Sequence, residues 1–215
     1  MRFYNFLFLV LLITLVSCNR RNAALVGKEN RTSNFDLAQE AFIKEGLADE
    51  PMRVWKINMQ SDSILLRQKS TDIIPDPNDA TLKLMTNRLL ATVLDSMSLG
   101  VGIAAPQVGI LKNIIAVQRF DKSDFPFEVY LNPVIKQYST KKQACMEGCL
   151  SIPKKKAETQ NRAYAILLEY DKMDGSHVTE MIEDFTAVIF QHEIDHLNGI
   201  LFTDHLDKEI KASAK

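Results

Sequence analysis

The chain has 215 residues, 46% of them apolar and 25% charged, with a formal net charge of -1. That composition suits one globular domain with a short appendage, and a core that needs no disulfides. It lacks the basic surplus of a nucleic-acid-binding surface, and no basic amphipathic helix stands out.

The N-terminus has a different character. Arg2 is followed by an almost purely apolar run from Phe6 to Val16 and then by Ser17-Cys18. The run is too short to span a bilayer comfortably and has the length of a signal-peptide core. Leu15-Val16-Ser17-Cys18 resembles a bacterial lipobox, in which the cysteine is lipidated after cleavage. This divides the chain into a lipoprotein signal over residues 1–18, a polar tether over 19–49 and a globular domain over 50–215. A lipid on Cys18 anchors the protein to a membrane on its extracytoplasmic side. Asn19 is not the aspartate that retains many lipoproteins in the inner membrane, so the expected destination is the outer membrane or periplasm.

From Arg53 short apolar clusters alternate with polar residues, up to the Pro75–Asn78 turn. Leu82, Met85, Leu89, Val93 and Met97 then recur at helical spacing, predicting an amphipathic helix over Thr81 to Met97. Gly100–Gly109 reads as a glycine-bearing loop, and Asn113–Gln118 and Glu128–Ile135 as strands. Lys154-Lys155-Lys156 reads as a solvated loop. Tyr164, Ile166, Leu168 and Tyr170 alternate on one strand, and Met173–Ser176 supplies a hairpin turn to the next. A second helix is predicted from Asp184 or Phe185 to a glycine C-cap at Gly199, with its acidic start suited to the helix dipole. The sum is an α+β fold, antiparallel strands packed around a central helix.

That helix carries His192, Glu193 and His196, the pattern H-E-x-x-H. Histidines four apart share a helix face and can share a divalent cation, and the adjacent glutamate can move a proton. Catalytic sites of this kind take a third protein ligand. On spacing alone the candidates are Cys145, Cys149, His177, His205 and several carboxylates. His205 lies beyond the helix stop, and His177 follows a hairpin turn.

Three separated motifs bear on the choice: GVGIAAPQ at Gly100–Gln107, EGCLS at Glu147–Ser151 and HEIDH at His192–His196. In this order they resemble the motifs of the peptide deformylases, over about Arg53 to Leu206. The resemblance implies that Cys149, His192 and His196 bind one divalent metal, Fe2+ by family likeness, with Zn2+, Ni2+ and Co2+ also suited to these donors. It implies hydrolysis of the formyl group from N-formyl-methionyl peptides by a metal-activated water, with Glu193 as proton carrier. Gln107 and the Leu150 backbone N–H would meet the oxyanion. Val101, Gly102, Gly148, Cys145, Val188 and Ile189 would form the substrate pocket, with Phe185 at its rim. Gly102 would let an extended peptide approach the backbone. Glu147 and Asp195 would orient a histidine or pair with Arg162.

The chain departs from the family where an arginine often follows the second motif. It has PKKKAETQNR there, so Lys156 or Arg162 is the expected substitute. The expected form is a monomer. Two alternatives share the helix motif: a catalytically weak formyl-peptide-binding lipoprotein, and a zincin-like metalloprotease. Intact Glu193 and Gln107 speak against the first, and EGCLS upstream of the helix speaks against the second.

Overall fold

The computed structural model describes residues 33–95 and 100–213. The apolar leader, Cys18, the first part of the predicted tether and Met97 lie outside the described residues. A five-stranded antiparallel sheet organises the rest. Its strands are β1 (Gly102–Ala104), β2 (Ile114–Gln118), β3 (Phe127–Tyr138), β6 (Ala165–Asp171) and β7 (His177–Glu183), in the order β1-β2-β3-β6-β7. A second, two-stranded sheet is the hairpin β4 (Lys142–Cys149) and β5 (Ile152–Ala163).

Strand β2 shows why the main sheet is buried on both sides. Ile114 and Ala116 point into one core cluster, together with Leu82, Met85, Leu89 and Val93 of helix α3 (Ala80–Leu94). Ile115 and Val117 point into another, with Ala187, Ile189, Phe190 and Ile194 of helix α4 (Asp184–Leu197). Side chains alternate faces along a strand, so α3 and α4 cover opposite faces. The unbroken apolar run Ile114–Val117 is the sequence mark of that double burial. Each fully buried leucine or isoleucine contributes about 1.5–3 kcal/mol. The Tyr130 ring stands edge-on to Phe190 at 4.8 Å and to Tyr170 at 4.7 Å, locking α4 to the sheet.

The predicted α+β layout and central helix are present, and α4 touches strands of both sheets. Its predicted ends also hold, with Gly199 at φ +70 just past the C-cap Asn198. Asp184 opens the helix at φ +57, a left-handed conformation rare for a residue with a side chain. It is held there because Asp184 N–H donates to the Tyr164 carbonyl at 2.8 Å and Gln143 Nε2 donates to the Asp184 carbonyl at 3.0 Å.

Three expectations need correction. The polar tether does not extend to Asp49: a helix, α1 (Leu37–Ile43), begins at the capping residue Asp36, and Phe35 and Ile43 are buried in the α3 cluster. Lys154–Lys156 is exposed as predicted, but it lies on strand β5, paired across from β4. The Gly100–Gly109 segment is more ordered than a loop, forming β1 at the sheet edge and a 3-10 turn over Ala105–Val108. Two further helices, which the sequence reading did not place, complete the architecture, α2 (Gln60–Leu66) and α5 (Phe202–Ser213).

Candidate metal centre and active site

The three sequence motifs meet between α4 and the β4–β5 hairpin. Cys149 is the last residue of β4, followed by the two-residue turn Leu150–Ser151 and the start of β5. Its Sγ lies 3.2 Å from His196 Nε2. The ligand atoms of Cys149, His192 and His196 all fall within 4.8 Å of one another. No other group of three such side chains gathers among the described residues. Cys145 lies elsewhere on the cavity wall, His177 is exposed and paired with Asp171, and His205 pairs with Asp195.

The surroundings fix the orientation of His192. His192 Nδ1–H donates to Glu147 Oε2 at 2.8 Å, which leaves Nε2 as the lone-pair nitrogen. Glu147 is held in turn by Arg162, Nε to Oε1 and Nη2 to Oε2, both at 2.8 Å, and by the Thr159 hydroxyl. Burial would raise the Glu147 carboxyl, but His192 and Arg162 hold it well below the usual carboxylate range. Arg162 Nη1 also donates to Asp195 Oδ2 at 2.7 Å, and His205 Nε2 reaches the same oxygen at 2.8 Å. Glu147 therefore does both jobs left open by the sequence, while Asp195 steadies the arginine.

Cys149 has the environment of a thiolate ligand. Burial opposes its ionisation, but the charge and hydrogen bonding of His196 and His192 outweigh this and hold the thiol well below its ordinary value. Cys145 shifts the other way, because burial and the charge of Glu147 keep it protonated.

Glu193 sits beside the ligands and is 4% exposed. Burial pushes its carboxyl up to about 7, against the opposing charges of the two histidines. Its Oε2 and His196 Nδ1 have no hydrogen-bond partner among the described residues. Gly102 makes the carboxylate's position attainable, since a Cβ there would stand 2.5 Å from Glu193 Oε1 and 2.8 Å from Ile189 Cγ2. Gly102 thus makes room for Glu193, a packing reason beyond the expected access for peptide.

Gln107 is buried, and its Oε1 accepts from the Ala104 N–H at 2.9 Å. The amide therefore presents Nε2 to the site, 3.6 Å from Cys149 Sγ and 3.3 Å from Ser151 Oγ. Trp55 N–H donates to the Gln107 carbonyl at 2.7 Å and Ile57 N–H to the Ser151 carbonyl at 3.0 Å, so one stretch braces both motifs. Ser151, Thr159 and this brace carried no separate signal in the sequence, although Ser151 ends the EGCLS motif.

A cavity of about 840 Å³ opens onto the centre. Val101, Gly102, Cys145, Gly148, Val188 and Ile189, the six residues named for the pocket, line it together with Phe185 and Leu150. Lys156 lines it too, whereas Arg162 is 4% exposed and committed to two carboxylates. Of the two expected replacements for the missing arginine, only Lys156 faces the cavity.

One cysteine and two histidines, one of them oriented by a buried carboxylate, beside a second buried carboxylate with an unpaired oxygen, fit a divalent cation and define a metal-dependent hydrolase. The family model for polypeptide deformylase matches residues 54–212. The peptide deformylase of Desulforudis audaxviator is 36% identical over 155 residues, 71% of this chain and 94% of its own length. A Met-Ala-Ser-bound class I type b peptide deformylase from Acinetobacter baumannii is 32% identical at a TM-score of 0.64, covering 73% of this chain and 99% of that one. The Thermotoga maritima peptide deformylase is 27% identical at a TM-score of 0.61, covering 73% and 97%. The chain belongs to the polypeptide deformylase family. It is a metal-dependent hydrolase that removes the formyl group from N-formyl-methionyl peptides.

Proposed function

We propose that Cys149, His192 and His196 hold the single divalent cation, that Glu193 carries the proton, and that Gln107 Nε2 and the Leu150 N–H receive the oxyanion. The observation that carries this assignment is the convergence of the three ligand atoms beside the unpaired, buried Glu193 carboxylate. When bound, the cation supplies a Lewis acid that brings the pKa of water toward about 7 and polarises the formyl carbonyl. Glu193 takes a proton from the attacking water and later gives it to the leaving amine. The water oxygen joins the formyl carbon, the C–N bond breaks, and formate and a free methionyl amine result. Gln107 is pre-oriented because its oxygen is already tied to Ala104, and a donor fixed this way contributes about 3–4 kcal/mol. Val101, Val188, Ile189 and the neutral Cys145 thiol offer an apolar slot for the methionine side chain.

Family likeness alone points to Fe2+, and the same donor set accepts Zn2+, Ni2+ or Co2+. Formate release from formyl-Met-Ala-Ser by protein loaded separately with each ion ranks them. Cys149→Ala is expected to lose bound metal while Cys145→Ala retains close to one equivalent. Metal retained by Cys149→Ala and lost by Cys145→Ala would overturn the assignment.

We further propose that the enzyme is a lipoprotein held through Cys18 on the extracytoplasmic side of a membrane. The support is the apolar run and Leu15–Cys18 motif of the sequence. There the enzyme meets free formyl peptides, and an oxidising compartment disfavours Fe2+ beside a thiolate, so Zn2+ or Ni2+ is expected in place. Wild type should partition with membranes, and Cys18→Ala should lose lipid labelling. A native protein found in the cytoplasm with Met1 attached refutes this placement.

A further inference from the structure

Three consecutive lysines, Lys154, Lys155 and Lys156, line the active-site cavity. All are exposed, and none makes a side-chain hydrogen bond or ion pair among the described residues. Several other surface lysines differ: Lys44 pairs with Glu40, Lys122 with Glu128 and Lys136 with Glu169. The chain as a whole is nearly neutral, so this wall is a local concentration of positive charge.

The fold holds the wall in place. Gly148 faces Lys156 across the hairpin, and a Cβ on Gly148 would stand 3.2 Å from Lys156 Cγ. The absent side chain lets the lysine stem lie across the strand, one residue from the metal ligand Cys149. Lys154 adopts φ +61, a left-handed kink in the strand next to Pro153. The facing wall, including Gly100, Val101, Gly102 and Val188, carries no charge. The two acidic side chains on the lining are both buried, Glu147 being bound to Arg162 and His192 and Glu193 lying beside the metal ligands. Neither neutralises the lysines.

Resting on the deformylase reading, we infer that Lys154, Lys155 and Lys156 are specificity residues that select formyl-methionyl peptides with a carboxylate one or two residues beyond the methionine. An extended peptide advances about 3.3 Å per residue, so such a group lies within lysine reach of the wall. The carboxylate can be the C-terminus of a short free peptide or the side chain of Asp or Glu. An exposed charge pair contributes about two- to five-fold, and together the lysines should give roughly ten-fold in kcat/KM. The gain belongs mainly in KM, since the contact is the same in the bound substrate and the transition state.

The test measures kcat/KM of the metal-loaded protein on two matched pairs. Formyl-Met-Ala-Ser as free acid against its C-terminal amide reads the terminal carboxylate. The amides of formyl-Met-Ala-Glu and formyl-Met-Ala-Lys read the side chain. Wild type should prefer the anionic member roughly ten-fold at low ionic strength, and the preference should shrink at about 0.5 M salt as screening shortens. The ratio should fall to near one in the Lys154→Gln, Lys155→Gln, Lys156→Gln triple variant. It should shrink without vanishing for the side-chain pair in Lys156→Glu, which leaves Lys154 and Lys155 in place, and persist in Lys83→Gln on α3. A response in only one pair identifies the source of the carboxylate. Equal turnover of both members of both pairs by wild type, or a preference that survives the triple variant, overturns the inference while leaving the deformylase reading intact. No formate from any peptide overturns both.

Discussion

Helices α3 and α4 cover opposite faces of one sheet with almost the same length, yet they treat buried polar groups differently. In α3 the buried polar side chains serve the backbone. Arg88 donates to the carbonyls of Glu50, Phe42 and Ile43, and Thr92 Oγ1 donates to the Arg88 carbonyl while accepting the Met52 N–H. In α4 only Gln191 works this way, bonding the Ala163 N–H and carbonyl and the Ala187 carbonyl. The turn after it buries His192, Glu193 and His196, and leaves Glu193 Oε2 and His196 Nδ1 unpaired among the described residues. A buried polar atom without a partner costs about 1–3 kcal/mol, so a fold retains one where chemistry uses it. Satisfied burial marks α3 as scaffold, and unsatisfied burial marks α4 as the working face.

The largest expected effect breaks the comparison on the α4 side. Glu193→Ala should keep close to one equivalent of metal and lower kcat by about 10²–10⁴-fold, the contribution of a positioned acid–base group. The same change removes a buried carboxyl with an unpaired oxygen, so the melting temperature should stay level or rise. A variant that deformylates near the wild-type rate would mean that Glu193 is not the proton carrier.

The mirror experiment is Arg88→Met on α3. It removes a buried cation and leaves the Glu50, Phe42 and Ile43 carbonyls short of a donor, a loss of about 2–4 kcal/mol. Thermal unfolding should shift down by several degrees, while kcat/KM measured well below the transition stays within about two-fold. A large loss of activity in the folded protein would show that α3 is coupled to the site and is more than support.

A smaller effect probes how the working face is oriented. Glu147→Gln keeps a hydrogen-bond partner for His192 but removes the charge that faces both His192 and Arg162. Metal affinity read by chelator competition should fall about 10–100-fold, as for other carboxylates that orient a ligating histidine. Unchanged affinity would reduce Glu147 to a partner for Arg162 alone.

How far this arrangement was readable in the sequence follows from where each signal lives. The α3 stripe and the H-E-x-x-H spacing are periodic within one segment, so both helices were placed to within a few residues. Cys149 was out of reach of spacing alone, because its partners lie more than forty positions away, and the family motifs supplied it. Strand β5 was missed because its run of four exposed residues, Pro153 to Lys156, lacks apolar alternation. Its strand form comes from pairing with β4. Glu147 and Asp195 could not be told apart, since Arg162 bonds both and only the fold shows that His192 bonds Glu147.

The residues around α1 are the clearest misreading, and they suggest the mildest test. Residues 33–49 look like a tether because polar residues are scattered through them without a convincing period, yet two apolar anchors among them, Phe35 and Ile43, are 4% and 0% exposed. The segment is tied to α3 from both ends. Asn34 Nδ2 donates to Asp79 Oδ2, the residue that caps α3, and Arg88 of α3 binds the last carbonyls of α1. Asp36 starts the helix by accepting the Gln39 N–H at 2.8 Å, while the Gln39 side chain accepts the Asp36 N–H at 3.2 Å. Asp36→Ala removes that cap at an exposed position, at a cost of about 1 kcal/mol. For a domain of this size that corresponds to about 2–4 °C in melting temperature, with metal content and kcat unchanged. If residues 33–49 were a tether, the substitution would move nothing. A measurable shift makes α1 the outermost layer of the α3 scaffold and shortens any tether to the residues before Ser33.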